Sequence, residues 1–412
     1  MRRILIIGAG IAGVSAAESA RRHYPDADIT IVGSDEDGFY NRIAIGGYAV
    51  GKRTLPGMRF AGDNYFSRLR IVTRFGTAAT HISTRTREVV LDDGPSLPWD
   101  RLILATGANP FVPAIPGIDG PGIHCLWTLR DATKLREILP GLHDVAILGG
   151  GVLGVEAALD FQGAGHRVTL VEQKPWLLPA QLRPEDGSVL NDRVARQGVT
   201  VRTGVVVCEI QSTDRGPSLV MSDGTSISCE LLLLCAGAVP DTRLAETAGI
   251  RVDRGIVVDE YLRTNVASIL ACGNCINPGT TVGLLWNPAA IQGYAAGANA
   301  FEIHIAYTPM IHPIHLKSRE LPLFAIGPTD LPDGATVVVD AGTDARGAWR
   351  RTLIIDADRH VRHAAFIGRT AGSWSIESAV RKRTAIDEDI LQKGQIPDII
   401  DHLTPPREHT PT

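Results

Sequence analysis

The sequence has 412 residues, 44% hydrophobic and 21% charged, with 43 glycines and a formal net charge of −4. That length exceeds what one hydrophobic core usually serves, so two or three domains are expected, with ample chain to bury a large interior. The near-neutral charge excludes the broad basic field that nucleic acid or an anionic membrane would require, and leaves room only for local basic patches.

Met1-Arg2-Arg3 followed by Ile4 to Ile7 has the outline of a secretion signal, but its apolar run is short and passes straight into Gly8-Ala9-Gly10, so it reads as a first β-strand. No apolar run reaches the roughly eighteen residues of a membrane span, which predicts a cytoplasmic protein without membrane association. The six cysteines follow no disulfide-scaffold rhythm and are expected to be free thiols in a reducing compartment.

The run Ile4 to Gly13 recurs as Val145 to Gly154, each an apolar strand entering a G-x-G-x-x-G turn: Gly8, Gly10, Gly13 and then Gly149, Gly151, Gly154. A helix is expected after each (Val14 to Arg22; Val155 to Gly163), then a second strand (Ile29 to Val32; Val168 to Val171), which completes two βαβ units. In such a unit the first glycine makes the tight turn, the second lets backbone approach a pyrophosphate, and the third lets the helix pack on the strand. The helix N-terminus then meets the phosphates with free N–H groups and the positive end of its dipole.

A second echo relates Leu102 to Gly107 with Leu232 to Gly237, each a strand running into a glycine turn and then a proline. From Leu316 the pattern changes to short strands (Ala335 to Val339; Leu353 to Asp356; His363 to Ile367) and a helix from Ser375 to Arg383, an α+β arrangement. The expected organisation is a discontinuous first dinucleotide domain (1–113 and 241–315), a second (114–240), a small α+β domain (316–396) and a flexible tail (397–412).

Glu172 closes the second strand of the second unit, where a carboxylate accepts hydrogen bonds from an adenosine ribose diol. A 2′-phosphate would place like charge against it, so NADH is preferred over NADPH. In the first unit Val32 is followed by Gly33-Ser34-Asp35-Glu36, and the ribose contact is either Ser34 or Asp35.

Several local patterns have bland readings. Cys272-Gly273-Asn274-Cys275 is formally C-x-x-C but reads as a buried turn; His312 and His315 with His304 read as an interdomain connection rather than a metal site. Arg381-Lys382-Arg383 reads as a solvated helix end, with docking of an acidic protein partner as the sharper alternative.

Tyr40-Asn41-Arg42, the run Leu104 to Pro113, Trp286-Asn287-Pro288-Ala289-Ala290-Ile291-Gln292-Gly293 and the segment Leu316-Lys317 to Ile326-Gly327 resemble the pyridine nucleotide-disulfide oxidoreductase superfamily. Within it they resemble rubredoxin and ferredoxin reductases and the flavin module of NADH-dependent nitrite reductase. The resemblance implies an α/β architecture of two Rossmann-like, glutathione-reductase-like domains, the first binding FAD and the second NAD, plus the small α+β C-terminal domain. It assigns to FAD Gly8, Gly10, Ala12, Gly13, Ser34 or Asp35, Arg42, Ala79, Ala105, Thr106, Gly107, Gly273, Asn274 and Trp286. To NAD it assigns Gly149, Gly151, Val152, Gly154, Glu156, Glu172 and Gly237, with Glu156 and Arg42 as positioning groups. Asn274 stands where the family normally has an aspartate that accepts from the ribityl chain of FAD. Ala44 to Tyr48 holds none of the cysteines used by the disulfide and peroxidase branches, and no catalytic residue or metal ligand is assigned. The implied activity is hydride uptake from NADH by FAD and one-electron delivery to a separate acceptor, a rubredoxin or ferredoxin, by a monomer or homodimer. The alternatives are an electron-supplying reductase subunit for nitrite or nitrate reduction, a small-molecule oxidase, and a non-enzymatic scaffold responding to FAD and NADH.

Overall fold

The computed structural model describes residues 2–60, 62, 64–277, 285–316, 318 and 320–404. The chain divides into two compact units, the first built from Met1–Phe111, Trp127–Glu137 and Ala238–Met310, the second from Val112–Leu126, Ile138–Gly237 and Ile311–Thr412.

In the first unit the apolar runs form a five-stranded parallel sheet in the order Ile269–Ala271, Arg101–Leu104, Arg3–Ile7, Asp28–Gly33, Ile71–Phe75. Strands covered on both faces lose the in-out alternation of half-buried ones, which is why Ile4 to Ile7 and Leu102 to Leu104 are continuous and buried. Helix Ile11–His23 crosses over from the first strand, and helix Trp286–Ala298 lies against it. Their backbones come unusually close: a Cβ added at Gly293 would lie 2.1 Å from the Ala12 oxygen, and one at Gly297 2.1 Å from the Ala16 oxygen. The run of alanines and glycines in Trp286–Ala298 is therefore a packing requirement rather than a weak helix signal. The two echoed returns meet within this unit, Ala108–Pro110 pairing antiparallel with Ala238–Pro240.

The second unit repeats the pattern, with a parallel sheet in the order Thr200–Thr203, Arg167–Glu172, Asp144–Leu148, Leu231–Leu234, Ile123–Cys125 and helix Val152–Gln162 after its first fingerprint strand. Both fingerprint helices begin directly after the second glycine, earlier than periodicity predicts, because Ile11 and Val152 are already helical. The same unit contains an antiparallel sheet ordered Ile314–His315, Leu323–Ile326, Val361–Ile367, Gly347–Ile355, Thr336–Asp344. Helices Ser373–Lys382, Glu388–Lys393 and Ile396–Leu403 follow it. The C-terminal region thus clusters with the second dinucleotide fold, joined through helix Pro184–Arg196, where buried Arg193 donates to the Ala348 oxygen at 2.7 Å. Residues 397–403, expected to open a flexible tail, lie in helix Ile396–Leu403, which buries Ile396, Ile399 and Leu403; Pro397 sits in its first turn, where its missing N–H costs nothing. The rest of that expected tail, 405–412, lies outside the described residues.

Candidate functional site

The two fingerprints divide their glycines by physical role in the same way. Gly8 has φ +118° and Gly149 φ +113°, a region closed to most side chains, and a Cβ there would lie 2.0 Å from the Ala105 oxygen or 2.4 Å from the Cys235 oxygen. At Gly13 a Cβ would meet the Gly8 oxygen at 1.9 Å, and at Gly154 the Gly149 oxygen at 1.8 Å. These four are demanded by the protein's own packing. Gly10 and Gly151 are different: each has an ordinary φ, −74° and −73°, and a Cβ there meets nothing within 4 Å. Each is also the N-cap of its helix, without a side-chain cap bond and with no acid in the first turn. Nothing within the protein demands glycine at either position, and an uncapped helix N-terminus is an anion-binding geometry. The residues present therefore fit a dinucleotide pyrophosphate at both places.

In the second unit Glu172 is only 7% exposed and is held at both oxygens, Oε2 accepting from the Gly150 N–H at 2.7 Å and Oε1 from the Lys174 N–H at 2.8 Å. A carboxylate fixed by backbone donors keeps further lone pairs for a diol. Leu177 and Leu178, both fully buried, close over Gly150: a Cβ on Gly150 would lie 2.5 Å from Leu177, and the Leu178 N–H donates to the Gly150 oxygen at 2.9 Å. Val152 starts the helix, Glu156 stands beyond its first turn, and Gly237 has φ +110° after the strand Leu231–Leu234.

In the first unit Ser34 is exposed, while Asp35 is half-buried and its Oδ2 accepts the Tyr40 hydroxyl at 2.7 Å. The Tyr40 oxygen in turn accepts the Leu129 N–H at 3.0 Å and Arg42 Nη2 at 3.4 Å, and burial pushes its phenol far above the usual range. Asp35 thus anchors a loop as well as being a ribose candidate. Arg42 also lies over the rings of Tyr40 and Trp127, at 5.6 and 6.0 Å. Ala79 opens a strand two residues past Thr77, whose N–H donates to the Gly33 oxygen at 3.1 Å, which places it beside the end of the second sheet strand. The Ala105 N–H donates to the Ile7 oxygen, the Thr106 hydroxyl to the Asp241 oxygen at 2.7 Å, and the Asp241 N–H to the Gly107 oxygen at 3.0 Å, which fixes this turn against the fingerprint.

Gly273 has φ +78° and approaches Ala12, whose Cβ is 2.7 Å from the position of an added Cβ. Its N–H donates to Gln292 Oε1 at 2.8 Å, and Gln292 Nε2 donates to the Tyr307 hydroxyl at 3.0 Å. Asn274 is half-buried on the same turn, and Trp286 heads its helix in an aromatic group with Phe39 and Phe60, at centroid distances of 6.4 and 5.4 Å. The sequence reading missed Tyr40 as the partner of Asp35 and Gln292 as the brace of Gly273; a buried glutamine amid alanine and glycine was the available signal for the second.

Cys272 and Cys275 are fully buried, and desolvation holds both thiols above their ordinary range, so this pair has neither exposure nor thiolate character. His304 lies 2.7 Å from Arg263 Nη2, in the first unit, whereas His312 and His315 are in the second. Among the described residues the one three-ligand grouping is Asp356, Asp358 and His360, in a turn where Asp356 Oδ1 is occupied by the His360 N–H. Arg381 pairs with Glu377 at 2.7 Å on an ordinary helix face. No helix among the described residues is long and apolar enough to cross a membrane.

A family model described as pyridine nucleotide-disulphide oxidoreductase matches residues 2–293. The assimilatory nitrate reductase electron transfer subunit of Bacillus subtilis (strain 168) is 26% identical over 86% of this chain and 46% of its own length, so the chain spans about half of that relative. The nitric oxide reductase FlRd-NAD(+) reductase of Shigella flexneri is 29% identical over 80% of this chain and 87% of its own. Among solved structures, a ferredoxin reductase from Rhodopseudomonas palustris superposes with a TM-score of 0.86 at 23% identity, covering 97% of this chain and 99% of that one, a likeness of fold.

Proposed function

The chain belongs to the pyridine nucleotide-disulphide oxidoreductase family, and on that premise we propose that it is an FAD-dependent reductase that takes hydride from NADH and passes electrons to a separate iron protein of the rubredoxin or ferredoxin type. The observation that carries this reading is the pair of open middle glycines, Gly10 and Gly151, each at an uncapped helix N-terminus, with Glu172 fixed beside the second. FAD, when bound, supplies a ring that accepts an electron pair and releases electrons singly.

The chain's own residues bind and orient. Gly8, Gly10, Ala12 and Gly13, the Ala105-Thr106-Gly107 turn and the braced Gly273-Asn274 turn would hold FAD, with Ser34 or Asp35 at its ribose and Arg42, Ala79 and Trp286 around it. Gly149, Gly151, Val152, Gly154 and Gly237 would hold NADH, with Glu172 at its ribose and Glu156 positioning. Direct hydride passage requires no acid or base, which fits a site in which no catalytic side chain is assigned. Ala44 to Tyr48 carries no thiol, so the reading does not include disulfide exchange there. A cytoplasmic setting is part of this reading, on six cysteines spaced without a disulfide-scaffold rhythm. Delivery to a nitrate or nitrite reductase is the second reading, which rests on the Bacillus subtilis relative alone and is the less favoured of the two.

The test is anaerobic stopped-flow spectroscopy of the FAD-loaded protein. NADH should bleach the visible flavin absorbance rapidly, and an oxidised rubredoxin or [2Fe–2S] ferredoxin should restore it. Absence of bleaching, or recovery with dioxygen alone, would overturn the proposal.

A further inference from the structure

Helix Pro184–Arg196 stands between the C-terminal sheet and the loop that follows Glu172, and it is tied to both. On the sheet side, Asp186 is 1% exposed, and its Oδ1 accepts from Arg350 Nε at 2.9 Å and from the Thr352 hydroxyl at 2.6 Å. On the loop side, a Cβ on Gly187 would lie 2.2 Å from the Trp176 ring, so the indole rests directly on the helix backbone, and Asn191 Oδ1 accepts the Leu177 N–H at 3.0 Å. Trp176 is held in turn by its Nε1–H to the Leu182 oxygen at 3.0 Å. Leu177 and Leu178 then close on Gly150, whose N–H fixes Glu172. Leu178 has φ +54°, a left-handed conformation that a leucine keeps only where its surroundings enforce it.

We infer that Asp186 is a positioning residue for Glu172: by anchoring helix Pro184–Arg196 to Arg350 and Thr352 it sets the loop Lys174 to Leu182, and through that loop the ribose end of the NAD site. A buried ion pair is often replaceable by apolar packing without loss of stability, so stability alone does not account for Asp186 at this place. The inference rests on the reading of Glu172 as the ribose contact.

The experiment is equilibrium titration of the oxidised, FAD-loaded protein with NAD+, alongside steady-state NADH kinetics. Asp186→Ala should weaken NAD+ binding and raise the KM for NADH by about tenfold, with kcat at saturation unchanged. Asp186→Asn, which keeps an acceptor for Thr352 and Arg350, should restore most of the affinity. In a Glu172→Gln background Asp186→Ala should cause no further loss, since the two act through one contact. Unchanged NAD+ affinity in Asp186→Ala, or additive losses in the double variant, would overturn the inference. Loss in Glu172→Gln with none in Asp186→Ala sinks this inference alone, whereas no loss in Glu172→Gln sinks the ribose reading and the inference with it. If Asp186→Ala does not fold, Thr352→Val removes one donor at nearly constant volume and should weaken NAD+ about threefold; unchanged affinity there overturns the inference equally.

Discussion

The Gly150 N–H donates to Glu172 Oε2 at 2.7 Å, so the carboxylate closing one strand is tied into the glycine loop of the same fold. Because Gly150 also lies under Leu177, the acid is aimed by backbone and packing together rather than by its own rotamer. A 2′-phosphate brought beside so fixed a charge meets repulsion of about 1 kcal/mol in water and about 4 kcal/mol near a protein surface at 4 Å. Steady-state kinetics should therefore show a kcat/KM for NADH about 10- to 100-fold above that for NADPH, with Glu172→Gln reducing the ratio both by weakening NADH and by improving NADPH. Equal use of both nucleotides by the wild type would contradict the assignment.

The division of the glycines gives a sharper test than removing whole motifs. Gly10→Ala and Gly151→Ala place a methyl where nothing lies within 4 Å at an ordinary φ, so the ligand-free protein should lose only the roughly 1 kcal/mol that alanine costs at an N-cap and should still fold. Gly10→Ala should nevertheless lose FAD, and Gly151→Ala should bind NAD+ roughly tenfold or more weakly, a cost of about 1.4 kcal/mol. Gly13→Ala and Gly154→Ala drive a methyl into backbone oxygens at 1.9 and 1.8 Å and should fail in folding first. Comparing melting curves with ligand titrations separates the two classes.

Much of this was legible because left-handed φ and sub-van-der-Waals approach admit glycine alone, so Gly8, Gly13, Gly149 and Gly154 mark backbone geometry directly in the sequence. Glu172 was legible through its place at a strand end. The Asp186 cluster was not, since its partners lie 164 and 166 residues away and an acid in a first helical turn reads equally well as a dipole partner. The link between Asp35 and Tyr40 was hidden differently: both residues had been noted, but their hydrogen bond depends on how the intervening loop folds back. The helix Ile396–Leu403 was obscured because the helical spacing of Ile396, Ile399 and Leu403 is short and runs across the boundary expected between the α+β domain and the tail.

His363 predicts a pH dependence with a defined sign. It is fully buried, its Nδ1 lies 3.2 Å from the Gly327 oxygen, and burial pushes the imidazole below its ordinary 6.5, so it is neutral in the fold. With the folded value below the unfolded one, its contribution is present above about pH 6.5 and is lost as pH falls through the folded value. Asp186, raised by burial, has the opposite sign, since its carboxyl is protonated more readily in the fold than out of it. The melting temperature should thus fall between about pH 7 and 5, and less steeply in His363→Gln, which cannot charge. Parallel slopes would show that His363 does not titrate in this window.

Thiol titration distinguishes a buried turn from a redox pair. Cys208 is exposed and Cys125 half-exposed, whereas desolvation pushes Cys229 up to about 11 and Cys235 to about 12 and raises Cys272 and Cys275 as well. A disulfide reagent should label Cys208 first, then Cys125, and should reach Cys272 and Cys275 only after denaturation. A native thiol count that changes by two on NADH addition would instead identify an active dithiol.

If the Gly273–Asn274 turn holds FAD as proposed, Asn274 is the place where this chain departs from the pattern it resembles. It sits half-buried on the turn Gly273–Cys275, which is rigid because Gln292 holds the Gly273 N–H at 2.8 Å and Gly273 abuts Ala12. A side chain carried on so fixed a turn has little freedom to compensate for a weaker bond. A neutral amide acceptor contributes roughly 0.5–1.5 kcal/mol against about 1.5–3 for a charged one. Asn274→Asp should therefore slow FAD release on dilution by about fivefold, read as the rise of free-flavin fluorescence, with no change in NAD+ affinity, since the turn belongs to the first unit. Release at an unchanged or faster rate would show that the position 274 side chain does not accept from bound FAD.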